Sequence, residues 1–473
     1  MKRENKSVLG MIGLGTMGSN LLQNIGDHGY SCSGYDNDSE KVNALNNLNQ
    51  KNIKGFSDIN DLAKNLKKPR TVIMLVPAGK IVDTVIEDLV EVLEKGDIII
   101  DGGNSHFIDT ERRYKYLDDK GFLFLGMGVS GGEEGARKGP SLMPGGKIEA
   151  YEILEPILRK IAAHVNGDPT VAYMGVRSAG HFVKMVRNGI EYAIMQLISE
   201  TYDIFKNSLS MDDAAIHNVF EKWNRGRLHS YLIEITRDIF EYIKTGANHP
   251  LLEDIKDQAR AKGTGKWASQ VAMDLDLSIP VIDVAVSMRN LSEYKDLRTK
   301  AFKLYNDSKI LKQNEKNIEY IDIVEQAFYF AMISAYAQGM HLLHRANEVY
   351  DYKLELDLIA KVWRGGCIIR SAFLEDVYAA YNEDSNLEHL FLNENIHKKL
   401  TENLSGIRKI VSDGALNGIP VPAFSVTLGY FDSFRSEEMP TNLIQAQRDY
   451  FGSHTYELIG KKGTFHTQWK DMD

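Results

Sequence analysis

The sequence predicts an α/β Rossmann-type N-terminal domain followed by a large all-α domain and an extended C-terminal tail. Three observations carry this expectation. Residues 7 to about 178 alternate short β-rich runs with helical stretches, the pattern of a parallel sheet covered by helices. From 179 on, long segments such as 318–348 and 354–381 keep a 3.6-residue period, and only Pro250 and Pro280 fall between residues 170 and 419. Beyond 437 the chain carries Gly452, Gly460 and Gly463 among many polar residues. That stretch has too little apolar periodicity for a core, so it is expected to cross onto another surface. The expected units are 1–178, 179–436 and 437–473.

Each element follows in order. Residues 8–12 form a strand by composition, and Gly13-X-Gly15-X-X-Gly18 follows it at once. The opening Met1 to Lys6 plus this apolar run imitates a secretory leader, but the glycine turn interrupts it. A helix is expected over 19–28 and a second strand over 30–35, ending at Asp36. Further strands are expected at 71–76, 97–100 and 122–129. The first glycine permits a tight turn, the second lets a pyrophosphate approach, and the third lets helix and strand pack closely. Backbone N–H groups at the helix start then face the phosphates. Asp36, eighteen residues after Gly18, stands where a carboxylate accepts ribose hydroxyls. It would repel a 2′-phosphate; Asn37 and Asp38 add no cation, and Lys41 is expected on the solvent face of the next helix. NAD is therefore expected in preference to NADP.

Composition bounds the function. At 473 residues, 43% hydrophobic and 26% charged, the chain has room for two or three domains and an ordinary soluble composition. A net charge of −9 argues against a nucleic-acid or anionic-membrane surface, though not against a small anionic ligand. Cys32 and Cys367 have no metal-ligand spacing and suit a reducing cytosol, so a cytoplasmic location is expected. No run of about eighteen apolar residues occurs, and no membrane span is expected.

The stretch 181–205 is the centre of the functional reading. On a helix, Lys184, Asn188 and Glu191 follow i, i+4, i+7 and share one side, flanked by His181 and Arg187. Most of the remaining circumference is apolar, so the helix should be buried with its polar stripe facing a cavity or a partner. Lys184 and Glu191 would lie roughly 10 Å apart along the axis, too far to pair directly. A small polar molecule between them would justify burying both; a stripe facing solvent or another subunit is the plainer alternative.

At this point the motifs resemble the decarboxylating 6-phosphogluconate dehydrogenases. Gly13-Leu14-Gly15-Thr16-Met17-Gly18 is similar to that family's cofactor turn, and Asp101-Gly102-Gly103-Asn104-Ser105 to its segment at the nicotinamide end. Val129 to Ala136 resembles its loop for the substrate carboxylate, and His181 to Tyr192 its catalytic helix. Lys262-Gly263-Thr264-Gly265-Lys266-Trp267 and Gln447 to Gly452 extend the likeness towards the C-terminus. The resemblance implies oxidation of 6-phospho-D-gluconate to D-ribulose 5-phosphate and CO2, with a nicotinamide cofactor and no metal. It implies that Lys184 is the base at the C3 hydroxyl and later an acid, that Glu191 protonates the enediol, and that Asn188 orients the hydroxyls. The cofactor residues it implies are Gly13 to Gly18, Asp36, Val76, Pro77, Ala78 and Asn104. For substrate it implies Ser130, Gly131 and Gly132 at the carboxylate end, Asn104 placing substrate against the nicotinamide, and Lys184, Arg187, Asn188 and Glu191 on the central helix. Tyr192, Lys262, Thr264, Arg289 and Arg448 would hold the phosphate, and His454 a hydroxyl or phosphate oxygen. The last two lie in the tail, which in that family reaches the partner of a homodimer.

The sequence departs from the family pattern at Arg187, where histidine is usual, at Ala193-Ile194 in place of Gly-Asp, and at Ala261 in place of glutamine. Pro77 replaces a frequent lysine, and Asp36-Asn37-Asp38 replaces an Asn-Arg-Thr phosphate grip. Two other readings stay open. One is a β-hydroxyacid dehydrogenase that oxidises without decarboxylating; the other is a catalytically silent dimer that binds a phosphosugar or dinucleotide.

Overall fold

The structure, a computed structural model, describes residues 6–245, 249–260, 263–305 and 318–469. Its N-terminal part is a seven-stranded sheet in the order β3-β2-β1-β4-β5-β6-β7. These strands are β1 (Leu9–Ile12), β2 (Cys32–Tyr35), β3 (Ile53–Phe56), β4 (Thr71–Met74), β5 (Ile98–Asp101), β6 (Leu123–Ser130) and β7 (Ser141–Gly146). The first six run parallel, with crossover helices such as α1 (Thr16–Asp27) between them, whereas β7 runs antiparallel to β6. The parallel pattern was legible in the sequence. The short strand β3, with only Ile53 buried, and the reversal at β7 were not. β1, β4 and β5 are buried throughout, as strands covered on both faces must be.

The remainder is helical. A central helix (Ala179–Asp203) packs against β6 and β7 on one side and against the helices Thr264–Asp274, Pro280–Glu293 and Ile318–Tyr350 on the other. It is the joint between the two parts. Its apolar side chains Phe182, Val183, Val186, Ile190 and Leu197 are all fully buried. The segment 354–381, expected as one helical stretch, is broken into Leu356–Trp363 and Leu374–Glu383. Gly365-Gly366 causes the break. Gly366 has φ +58, and a Cβ there would lie 2.5 Å from the Gly139 carbonyl oxygen. Its own carbonyl accepts the Ser141 N–H at 3.0 Å, which ties the helical part to the start of β7.

The tail forms a helix (Thr441–Gly452) and a hairpin (Tyr456–Leu458 with Lys461–Phe465). Among the described residues no helix is long and apolar enough to cross a membrane.

Candidate active site

The central helix brings the polar stripe into the interior because its other sides are committed to packing. Lys184 is only 8% exposed, and Arg187 only 2%. Burial, and then the Arg187 guanidinium, push the Lys184 ammonium down to about 7; Glu191 and Cys367 oppose the shift. Arg187 is the hub of the network. Its Nη1 donates to Asn188 Oδ1 at 3.0 Å and to the Glu191 carboxylate, and its Nη2 donates to Ser130 Oγ. Its Nε is buried without a partner. Asn188 Nδ2 in turn donates to Thr264 Oγ1 at 2.8 Å. Ser130 ends β6, and its Oγ also accepts the Ile368 N–H at 3.4 Å, with Cys367 Sγ equally near.

Beside this network opens a cavity of about 710 Å³. Val76, Pro77, Ala78 and Asn104 line it from the sheet, and Asn188, Glu191, Tyr192, Thr264 and Arg289 from the helices. The Arg289 guanidinium lies over the Tyr192 ring, 3.6 Å from its centroid, so a cation is held at the helical end. The expected residues thus meet at one place: nine line the cavity, Arg187 and Ser130 adjoin it through the network, and Lys184 lies within charge interaction of Arg187 and Glu191. Gly131 and Gly132 continue from Ser130, and Gly131 has φ +113.

The glycine turn sits at the C-terminal end of β1. Gly18 is where α1 meets the turn, since a Cβ would fall 1.8 Å from the Gly13 oxygen. Gly15 instead faces open space, and no side chain caps the start of α1. That bare, uncapped turn fits the pyrophosphate of a dinucleotide. At Gly13 a Cβ would come within 3.0 Å of Val76, so the turn abuts the cavity wall.

Two expected residues are not brought in, and a third falls on an undescribed position. Lys262 lies outside the described residues. Arg448 and His454 are not among the cavity-lining residues of this chain; Arg448 donates to Gln445 at 3.0 Å on the exposed tail helix. Conversely, His106, Asp109, Met195, Arg260 and Trp267 line the cavity without having been expected. His106 follows the Asn104-Ser105 motif directly and meets Trp267 edge-on at 4.6 Å, so a position beside one quoted motif and within another was the available signal. The approach of Cys367 and Ile368 to Ser130 has no signal in spacing. His181 is explained by packing: its Nδ1 meets Thr110 Oγ1 at 2.7 Å, and burial lowers its pKa.

Comparison with known proteins accords with this geometry. The model of the 6-phosphogluconate dehydrogenase C-terminal domain matches residues 180–469, and that of the NAD binding domain of 6-phosphogluconate dehydrogenase matches 8–175. The chain belongs to the 6-phosphogluconate dehydrogenase family.

Membership makes it a decarboxylating oxidoreductase by kind. The Bacillus subtilis NADP(+)-dependent, decarboxylating 6-phosphogluconate dehydrogenase is 46% identical over 98% of this chain and 99% of its own length. The Saccharomyces cerevisiae decarboxylating 6-phosphogluconate dehydrogenase 2 is 48% identical over 97% and 94%. A Plasmodium falciparum 6-phosphogluconate dehydrogenase, described as apo and in complex with NADP+ and with 6-phosphogluconate, superposes with a TM-score of 0.95 at 44% identity, covering 98% of this chain and 100% of that one.

These relatives overturn the expectation of NAD over NADP. One is named NADP(+)-dependent, and the other is described in complex with NADP+. The error has a physical origin at the tip of β2. Asp36 is 7% exposed, and its oxygens accept the N–H groups of Leu14 at 2.8 Å and Asp38 at 3.0 Å. Lys41 lies exposed on the next helix (Ser39–Asn47), as expected, but its side chain also reaches back to the carboxylate. Its Nζ lies 3.4 Å from both Asp36 oxygens and 3.8 Å from Asp38. The carboxylate is thus engaged within the turn and has a cation beside it, neither of which residue spacing reports.

Proposed function

We propose that this chain converts 6-phospho-D-gluconate to D-ribulose 5-phosphate and CO2 while reducing NADP+. The observation that carries the assignment of roles is Lys184: a lysine buried on the central helix, held down to about 7 and two turns from Glu191. Neutral Lys184 takes the proton of the C3 hydroxyl as hydride leaves C3. When bound, the nicotinamide accepts that hydride. Lys184, now protonated, hydrogen-bonds the new C3 carbonyl and gives it the proton as the C1–C2 bond breaks and CO2 departs. Glu191 protonates the enediol carbon that becomes C1 of the product. Asn188, fixed by Thr264 and Arg187, orients the hydroxyl groups between them.

Asn104 sits on the cavity wall shared by both ligands. Ser130, Gly131 and Gly132 serve the carboxylate end. Tyr192, Thr264 and Arg289, with Lys262, serve the phosphate, a dianion suited to arginine and lysine. The glycine turn and α1 hold the pyrophosphate, and Lys41 is the cation available to the 2′-phosphate. The chain works as a cytoplasmic homodimer, built from units at 1–178, 179–436 and 437–473, in which the tail of one copy delivers Arg448 and His454 to the other.

The test is a 6-phosphogluconate assay run with NADP+ and NAD+ in parallel, following reduced cofactor and CO2 together. Equal amounts of both products are expected, with Lys184→Ala losing turnover by 10³-fold or more, on the order expected for a lost base. Cofactor reduction without CO2 would identify a non-decarboxylating dehydrogenase, and binding without turnover a silent protein.

A further inference from the structure

We propose that Arg187 is the ligand of the substrate's C1 carboxylate and that, once this carboxylate has left as CO2, it receives Glu191 as the replacement counter-ion. The inference rests on the Lys184–Glu191 reading above and deepens it. Its starting point is a guanidinium buried to 2% exposure whose donors are unequally used. Nη1 serves Asn188 and Glu191, and Nη2 serves Ser130. Nε is buried and makes no hydrogen bond. A buried donor without a partner is costly, and a positive group at this depth calls for a full set of acceptors. The Nε–Nη2 edge of a guanidinium is a fork that matches both oxygens of one carboxylate. Here Nη2 of that edge is held by Ser130, at the start of the Ser130-Gly131-Gly132 loop, whose hydroxyl the carboxylate would replace, while Nη1 holds Glu191.

One planar group therefore spans the end of the sugar acid that leaves and the acid that completes the reaction. The charges balance through the sequence. During oxidation the C1 carboxylate faces the Nε–Nη2 edge. When the C1–C2 bond breaks, its electron pair enters the enediol, the C3 oxygen takes the proton from Lys184, and CO2 departs uncharged. Glu191 then gives its proton to the enediol carbon and becomes a carboxylate, while the enediol O–H proton returns to Lys184. The guanidinium has lost one anion and gained another without moving through the protein. The Arg187–Glu191 pair present in the structure is the contact such an exchange would leave.

The experiment compares two ligands that differ only at C1: 6-phosphogluconate, and glucitol 6-phosphate, which carries CH2OH in place of the carboxylate. Binding of each is measured calorimetrically with the intact enzyme. Arg187→Gln is expected to weaken the acid at least about 30-fold, the scale of a truncated buried charge pair, and the alcohol less than about threefold. Arg187→Lys should recover part of the preference, since it restores charge without the fork. Equal weakening of both ligands, or of neither, overturns the proposal. If Arg187→Gln binds nothing at all, Arg187→Lys decides: a retained preference for the acid supports the assignment, and a complete loss of both ligands in parallel overturns it. If the unmodified enzyme itself shows no preference for the acid, the substrate assignment fails rather than the role of Arg187.

Discussion

A lysine in water is almost wholly protonated at neutral pH, with roughly one in 10³ molecules or fewer available as a base. Lys184 escapes this through its surroundings. Burial removes the water that would stabilise the ammonium, and Arg187 adds a second positive charge, so neutral and charged forms become comparable near pH 7. Because the neutral form is the one that accepts the proton, the sign follows. kcat/KM should fall tenfold per unit as pH drops below about 7, and level off above it. Arg187→Gln removes one of the two depressing influences, so its acidic limb should move upward. Rate measurements from pH 5.5 to 9 check both statements, and a limb near the ordinary lysine value would refute the role of Lys184. The stripe that carries this residue was readable because helical spacing alone places Lys184, Asn188 and Glu191 on one face. Asp36 was misread for the opposite reason. Its meaning depends on where the Leu14 N–H points and on whether Lys41 reaches back, neither of which spacing reports.

At the scale of elements, the central helix is held at both ends by polar contacts that the reaction does not use. Near its C-terminal end the buried Glu200 carboxylate accepts the N–H groups of Ala423, at 2.8 and 3.0 Å, and of Phe424, at 3.2 Å, which caps the helix Pro422–Phe434 from a distance. Burial raises this carboxyl from its ordinary 4.5 to about 7, against the lowering influence of Gln196 and the two backbone donors. Between those values the folded chain keeps a proton that the unfolded chain releases, so stability should decline as pH rises from 4.5 through about 7. Glu200→Ala should cost about 1–3 kcal/mol at pH 5 for the lost cap, and less at pH 8, where the parent bears the burden of a buried charge. Thermal melts at both pH values test this; an equal loss at each would show that folding does not raise the pKa of Glu200. Helix content of this part was legible from the scarcity of proline and the long 3.6-residue period. The break at Gly365-Gly366 was not, because a glycine pair inside a periodic segment is also tolerated in a continuous helix. Only the approach of the Ser141 and Gly139 backbones makes glycine necessary there.

At the scale of the molecule, the tail is organised yet incomplete. Asp449, fully buried, accepts the N–H groups of Thr455 and Thr467 at 3.0 Å and the Trp469 indole N–H at 2.8 Å, and His466 Nδ1 lies 2.9 Å away. So the helix and hairpin hold one another in shape. Their apolar side chains point outward all the same: Leu443, Ile444, Tyr450, Phe451 and Ile459 are exposed. An ordered module with that surface is built to be covered. The sequence predicts a tail without a core of its own, and spacing within one chain does not report what covers its apolar side chains. If Arg448 acts in the partner's site while Lys184 acts in its own, two inactive variants should complement each other. Lys184→Ala and Arg448→Ala subunits, unfolded together and refolded as a mixture, would form mixed dimers with one intact and one doubly damaged site. Random pairing then restores about a quarter of parental activity, although each variant alone is inactive. A mixture no more active than its components would mean that Arg448 serves its own chain, and the exposed apolar face of the tail would need another explanation.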